Sequence, residues 1–233
     1  SQTIRMFTLA GAARPKLGSI QLEPGVDLLY ALPIDGIYTM VVEQEQGVVV
    51  IEPGMNDLKG EEIIRWIGER YPGKPVTHLV VSHHHNDHGG GIRPYVANGT
   101  TLVVHDTATG FYQGQVNRPK SKVLMDALDR NPRPADIIGV TEGEFYTIED
   151  PTQSVTVYPV LGGHTDDMVV AVLEKQSMLY AGDLYVSGIA RDLRSGTKRA
   201  PNVLPFHSAV ALDETIRAYN LDVPILIGSH DRQ

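Results

Sequence analysis

Cysteine is absent from the 233 residues of this sequence. Its absence excludes disulfide bonds, thiolate zinc sites and a cysteine nucleophile. Aromatic residues make up only 6% of the chain, and no apolar run reaches the length of a membrane-spanning helix. The G-x-S-x-G pattern of a serine nucleophile is missing as well. We therefore expect no membrane association, and the compartment stays open between cytoplasm and periplasm.

Basic residues are outnumbered, with 20 Lys and Arg against 28 Asp and Glu, so the formal net charge is −8. The basic residues form no stripe or run, and we expect no nucleic-acid partner. A hydrophobic share of 42% and a charged share of 21% are typical of a globular protein. The length allows one sizeable core, and we predict a single domain over residues 1–233. The oligomeric state is left open.

Residues 82–90 read S-H-H-H-N-D-H-G-G and hold four histidines and an aspartate within six positions. Imidazole nitrogens and carboxylate oxygens are preferred ligands of first-row divalent metals. The apolar run at residues 77–81 predicts a buried strand just before this segment, and glycines follow it. The cluster is therefore predicted to lie on a turn at a strand end, with His83 and His85 on one side. Asp87 and His88 face a neighbouring point, and His84 points away by alternation.

The hydrophobic pattern predicts two successive sets of strands with helical segments after each. Strands are predicted at residues 26–32, 37–42, 48–51, 77–81, 101–105, 144–148, 154–160, 168–174, 177–180 and 224–227, with an edge strand before residue 25. Helices are predicted at residues 57–71, 92–97 and 205–219, and residues 106–133 are the least regular long segment. This order predicts two sheets packed face to face with helices outside.

Three later residues share one local pattern, in which a strand ends, a small residue follows, and a metal-capable side chain comes next. They are His164 after Gly163, Asp183 after Gly182, and His230 after Ser229. One histidine after a strand is weak support for a metal site. Three such positions after a histidine-rich turn indicate a shared site.

The run from His83 to His88 resembles the His-x-His-x-Asp-His motif of the metallo-beta-lactamase superfamily, and the later positions follow in that family's order over nearly the whole chain. The resemblance implies an α/β fold, a four-layer αβ/βα sandwich with metals at one edge between two mixed sheets. It implies a first metal on His83, His85 and His164, a second on Asp87, His88 and His230, and Asp183 bridging both.

Two positions refine this resemblance. Glu52 stands where the family usually has an aspartate that supports a metal-ligand histidine, and a solvated carboxylate at a strand end is an equally weighted alternative. Asp183 stands where the largest class of true metallo-beta-lactamases has Cys and another class has Ser. An aspartate there is similar to the glyoxalase II and lactonase branches.

The implied chemistry is hydrolysis of a small-molecule substrate by a hydroxide held between two divalent metals, with Asp87 and Asp183 as catalytic residues. The bond attacked is an ester, lactone, thioester, amide, phosphoester or β-lactam. Zinc is the expected metal, with Fe, Mn, Co or Ni as alternatives. A mononuclear iron dioxygenase acting on persulfides is the alternative function, with a catalytically silent binding protein as a third.

Weaker candidates surround this set. Tyr185 is a candidate hydrogen-bond donor to a developing oxyanion, although strand packing is the favoured role. His105 is expected to be a satisfied polar side chain, and His207 to cap a helix or line the rim. A basic loop is a candidate receptor for an anionic substrate, with a solvated loop as the favoured interpretation; its residues are Arg191, Arg194, Lys198 and Arg199.

Overall fold

The computed structural model describes residues 15–32, 36–118, 125–160, 162–187 and 206–231. Its strands are β1 Lys16–Glu23, β2 Val26–Leu32, β3 Thr39–Glu43, β4 Val48–Ile51, β5 Val76–Val80, β6 Thr101–His105, β7 Ile137–Val140, β8 Tyr146–Ile148, β9 Val155–Pro159, β10 Val169–Leu173, β11 Met178–Tyr180, β12 Val186–Ser187, β13 Ile225–Ile227 and β14 His230–Asp231. Its α-helices are α1 Asp57–Arg70, α2 Asn86–Gly89, α3 Ile92–Ala97, α4 Thr109–Asn117, α5 Ala127–Arg130 and α6 Phe206–Ala218. Short 3-10 turns lie at Asp106–Ala108, Glu174–Gln176 and Gly182–Leu184.

Two mixed sheets organise these elements. One sheet has the order β1-β2-β3-β4-β5-β6-β7, antiparallel from β1 to β4 and parallel from β4 to β7. The other has the order β13-β11-β10-β9-β8, antiparallel except for the parallel pair of β11 and β13. The two-residue strands β12 and β14 form a small parallel pair of their own.

Alternation along the strands creates a layered core. On β3, Met40 and Val42 pack into a cluster that contains β9 and β10 residues of the other sheet, whereas Val41 packs with Ile63 and Ile67 of α1. Successive side chains of a strand point to opposite faces, so each sheet is apolar on both sides. The outer face of the second sheet packs against α6. The molecule is therefore the predicted four-layer αβ/βα sandwich.

The carboxyl ends of several strands meet where the candidate residues lie. Parallel strands β4, β5 and β6 end at Glu52, at the histidine-rich turn and at His105. In the other sheet, β11 and β13 are parallel and are followed by Asp183 and His230. A backbone hydrogen bond from Val169 N–H to the Ser82 carbonyl, 2.8 Å long, joins the two sheets at this edge.

The predicted elements agree closely with the structure at the site. The strand at residues 101–105 and the helix at residues 92–97 have the predicted bounds. Helix α1 begins at Asp57, after the N-cap residue Asn56, whose side chain accepts from Lys59 N–H. Three features differ: residues 86–89 form a short helix rather than open turn, β7 was not separately predicted, and β12 pairs with β14. None of the helices in the described ranges is long and apolar enough to cross a membrane.

Candidate metal centre

The turn after β5 is held from several directions. The buried Tyr112 hydroxyl donates to the His83 carbonyl at 2.7 Å, and His83 Nδ1 lies 2.9 Å from the Ser82 hydroxyl. At Gly90 the chain passes so close to the Met55 carbonyl that a Cβ would lie 2.3 Å from its oxygen, and only glycine fits there. The turn is therefore a fixed structure whose side chains point in defined directions.

A first group of ligand-capable atoms gathers where His164 meets this turn. It consists of His83, His85, His164 and Asp183, one atom from each within 4.8 Å of the others. His85 Nδ1 lies 2.9 Å from His83 Nε2 and 3.1 Å from His164 Nε2. Asp183 Oδ2 lies 3.4 Å from His164 Nε2 and 3.9 Å from His83 Nε2.

These separations fit a bound metal ion better than a hydrogen-bond network. The single lone pair of His85 Nδ1 cannot accept from two N–H donors at once, yet two imidazole nitrogens approach it. Ligands about 2.0–2.1 Å from a tetrahedral ion stand roughly 3.3 Å apart, close to the distances seen in this group. The donor set of three imidazoles and a carboxylate is one that zinc accepts.

A second group lies beside the first and consists of Asp87, His88 and His230. Asp87 Oδ2 is 3.5 Å from His88 Nε2 and 3.7 Å from His230 Nε2. Asp183 connects the two groups, because its Oδ1 lies 3.2 Å from His88 Nε2 and 3.1 Å from His230 Nε2 while its Oδ2 faces the first group. One carboxylate thus presents an oxygen to each group.

His88 supplies the sharpest test of fit. It is fully buried, and neither ring nitrogen has a hydrogen-bond partner among the described residues. Its Nδ1 lies 3.3 Å from Glu52 Oε2, and both Glu52 oxygens are likewise buried without hydrogen bonds. An orphaned buried nitrogen is costly, and a cation at Nε2 would satisfy it. The Glu52 carboxylate lies behind the ring and is buried rather than solvated.

Neighbouring groups orient His230 and Asp183. The His230 Nδ1–H donates to the Gly36 carbonyl at 3.0 Å, which fixes the ring with Nε2 facing Asp87 and Asp183. The Ser229 hydroxyl donates to Asp183 Oδ1 at 2.6 Å. The next residue, Ile37, forms a β-bridge with His230, so two consecutive residues support this histidine.

The two groups differ in their affinity for protons. Burial and the nearby His88 lower the pKa of His83 to about 2, and burial also lowers the pKa of His164. Burial alone would lower the pKa of His88 too, but the adjacent Glu52 and Asp183 carboxylates outweigh it and raise the pKa to about 10. Asp183 likewise raises the pKa of His230 against the effect of burial.

The pKa of the Asp183 carboxyl shifts in the opposite direction to the pKa values of His88 and His230. Burial alone would raise its pKa, but contacts with His230 and His88 outweigh burial and hold the pKa well below its ordinary value. Asp183 is therefore ionised at neutral pH and available as a charged ligand to both groups. In the absence of metal, His83 and His164 of the first group are therefore neutral at pH 7, whereas His88 of the second group carries a proton.

The remaining candidates that the structure describes lie outside the two groups. His84 contacts Asp167 and the Phe111 ring, and His105 accepts from Thr107 N–H as the cap of a 3-10 turn, which makes it the satisfied polar residue expected. Tyr185 packs against the cluster under α6, in keeping with the packing role, and His207 is exposed near the start of α6. The basic loop lies outside the described residues; its members are Arg191, Arg194, Lys198 and Arg199.

Several supporting residues were not predicted from the sequence. Asp167, Tyr112, Ser82 and Ser229 each contact a member of the two groups or its turn. The only sequence signal for Asp167 was its position three residues after His164. Tyr112 carried no signal, because its role depends on α4 packing beneath a turn 29 residues away.

A sandwich of two mixed sheets with a histidine and aspartate centre at its edge defines a metal-binding, hydrolase-type domain. The model of the metallo-beta-lactamase superfamily matches residues 32–230, and the chain belongs to that superfamily. Among solved structures, the chain is similar to the metallo-beta-lactamase from Pontibacter korlensis, with a TM-score of 0.63, 20% identity and coverage of 93% of this chain and 92% of that one. It is similarly related to the metallo-beta-lactamase FIM-1 from Pseudomonas aeruginosa in its mono-zinc form, with a TM-score of 0.64, 19% identity and coverage of 94% and 91%.

Two further relatives are matched over a smaller share of their length. The chain is 25% identical to metallo-beta-lactamase type 2 of Bacillus cereus over 163 residues, which cover 70% of this chain and 55% of that protein. It is 25% identical to hydroxyacylglutathione hydrolase of Prochlorococcus marinus over 155 residues, which cover 66% of this chain and 52% of that protein. The matched region thus spans about half the length of each relative.

Proposed function

We propose that this chain is a metal-dependent hydrolase that holds two divalent ions, zinc by preference. The first ion is assigned to His83, His85 and His164, the second to Asp87, His88 and His230, and Asp183 is assigned to both. The observation that carries the proposal is the orientation of Asp183, whose two oxygens face different groups. A buried carboxylate shared in this way suits two cations better than one.

Two metal ions in this arrangement would supply a hydroxide at neutral pH and polarise the bond under attack. The protein side chains hold and move the protons. Asp87 has a side chain that is 42% exposed, against 14% for Asp183 and 0% for His88. Asp87 can therefore exchange protons with solvent while it faces the second group, which suits it to orient a water and to protonate the leaving group. Asp183 is largely enclosed and ionised, so it contributes a negative charge to the proposed metal centre.

The proposed substrate is a small molecule with an ester, lactone, thioester, amide, phosphoester or β-lactam bond. One characterised relative is a metallo-beta-lactamase and another is a hydroxyacylglutathione hydrolase, so strained amides and thioesters head the candidates. The aspartate at position 183 favours thioesters, lactones and esters within this set, by its resemblance to the glyoxalase II and lactonase branches. We also propose that residues 1–233 act as one domain.

The completeness of the second group separates this proposal from an iron dioxygenase with one metal. A single-iron site needs only two histidines and a carboxylate. Here Asp87, His88 and His230 converge as a further set beside the first. A single-iron reaction does not require this second set of ligand-capable side chains, and its presence supports the hydrolase over the dioxygenase.

Elemental analysis combined with a substrate panel tests the proposal. Protein purified without chelator should contain close to two divalent ions per chain and hydrolyse at least one of nitrocefin, a homoserine lactone, a glutathione thioester and a phosphodiester. His85→Ala and Asp183→Ala should lose metal and activity, whereas His105→Ala, which alters a histidine of neither group, should keep both. One iron per chain with oxygen uptake, or full metal content in both site variants, would contradict the proposal.

A further inference from the structure

Asp167 forms a two-point contact with the residue between two proposed metal ligands. It lies two residues before β10, and its carboxylate is largely buried. Its Oδ2 accepts from the His84 backbone N–H at 3.0 Å, and its Oδ1 lies 2.8 Å from His84 Nδ1. One side chain therefore restrains both the main chain and the ring of His84.

This contact joins the two segments that supply the three histidines of the first group. His84 stands between His83 and His85 on the turn after β5, and Asp167 follows His164 by three residues in the other half of the sandwich. A second link, from Val169 N–H to the Ser82 carbonyl, runs beside it. The His84–Asp167 contact and this link together set how close the His164 segment lies to the turn.

The ring of His84 lies outside both groups. Its centroid is 5.7 Å from the Phe111 ring and 5.0 Å from the His85 ring, in edge-on contacts. It belongs to neither set of converging ligand atoms. Its contacts with Asp167, Phe111 and His85 instead resist rotation of the turn, and rotation there would change the direction of the His85 ring.

We propose that His84 and Asp167 are positioning residues that hold His83, His85 and His164 at the spacing a metal ion requires. The inference rests on the proposed metal centre and adds residues to it. Groups behind metal ligands commonly change metal affinity about 10- to 100-fold when they are removed. Asp167→Ala removes both contacts, and we expect it to raise the zinc Kd of the first group within that range. His84→Ala keeps the backbone contact, so a smaller rise is expected.

Asp150 offers a matched control. Its carboxylate also joins the two halves of the sandwich, because it accepts from the Glu45 backbone N–H at 2.9 Å and from the N–H groups of Thr152 and Gln153 at 2.8 and 3.0 Å. It sits beside the β3–β4 turn, at the end of β4 opposite to Glu52. Asp150→Ala should lower the melting temperature of the metal-free protein and leave the zinc Kd unchanged.

The experiment measures zinc Kd by competition with a chromophoric chelator, together with the absorption spectrum of the cobalt-loaded protein. Both readouts are taken at a temperature where circular dichroism shows every variant folded. Asp167→Ala should weaken zinc binding and shift the cobalt bands, and His84→Ala should do so to a smaller extent. A purely structural residue would move only the melting temperature, as Asp150→Ala does.

The outcomes separate this inference from the proposed function. If the unmodified protein binds no zinc, the metal centre itself is refuted, and this inference falls with it. If the unmodified protein binds zinc and Asp167→Ala binds it equally tightly, only the positioning role is refuted. Should Asp167→Ala fail to fold, Asp167→Asn and His84→Ala carry the comparison, and an unchanged Kd in both overturns the inference.

Discussion

Replacing Tyr112 by Phe isolates one hydrogen bond that holds the histidine-rich turn. The Tyr112 hydroxyl donates to the His83 carbonyl at 2.7 Å, and both residues are fully buried. Phenylalanine keeps the ring in the core and removes only the oxygen. The His83 carbonyl then loses its donor in a place that water does not reach, and an unsatisfied buried group of this kind costs about 1–3 kcal/mol.

The loss in the free energy of unfolding is measured by urea unfolding of the metal-free protein, with circular dichroism as the signal. A loss of about 1–3 kcal/mol corresponds to a fall in melting temperature of roughly 2–4 °C for each kcal/mol in a domain of this size. The slope of the unfolding free energy against urea should not change, because the exposed surface is the same. The effect therefore appears as a lower midpoint alone.

Tyr158→Phe is the matched control. The Tyr158 ring is also buried, between Phe145 and Tyr219, but its hydroxyl makes no hydrogen bond within the described part of the chain. We expect this variant to lose much less stability than Tyr112→Phe. Equal losses in the two variants would show that the hydroxyl of Tyr112 does not hold the turn, and would falsify the reasoning.

Three further predictions concern His88, the carboxylate of Glu52 behind it, and the buried ammonium of Lys59. The pKa of His88 is raised to about 10, so protonated His88 stabilises the metal-free fold fully below about pH 6.5, and this stabilisation is lost as the pH rises from there to about 10. Zinc must displace the same proton, and we therefore expect the affinity for the second ion to rise over that pH window. Zinc titrations at several pH values measure this affinity, and a flat profile would contradict the prediction. Glu52→Gln removes the carboxylate behind His88 and should weaken binding of the second ion about 10- to 100-fold by equilibrium dialysis, with Glu62→Gln, a buried glutamate of α1, unchanged. Lys59→Met removes the donor to the Ile37 carbonyl, 2.8 Å away, and should lower the free energy of unfolding by about 1–3 kcal/mol, measured with urea. An unchanged urea midpoint would show that this buried ammonium does not support the segment that contains Ile37.

Elements and candidate ligands could be predicted where the local hydrophobic pattern and the residue types indicate the same feature. Strand β6 could be predicted because its apolar run is bounded by Gly99 and Asp106, and the candidate ligands because each follows a strand end. The resemblance then ordered the ligands into two sets, and the structure brings those sets together. The ligand roles themselves, and the extent of the domain, stay predictions.

Other features depend on contacts between distant parts of the chain. In the sequence Asp167 is one of two adjacent aspartates near His164, and only the packing of the two sheets reveals its contact with His84, 83 residues away. Glu52 adopts a positive φ of 72° although it is not glycine, which no pattern in the sequence indicates. The strained conformation sits next to His88, where backbone strain often accompanies function.

Because the candidate ligands come from loops of both sheets, an ion bound there would link the two sheets of the sandwich. An ion that binds only the folded chain adds stability through its free concentration, by about 2.7 kcal/mol when that concentration is a hundred times the Kd. The folded population of this chain would then follow the supply of metal around it. Scarcity of zinc would reduce the amount of folded protein as well as the rate of the reaction.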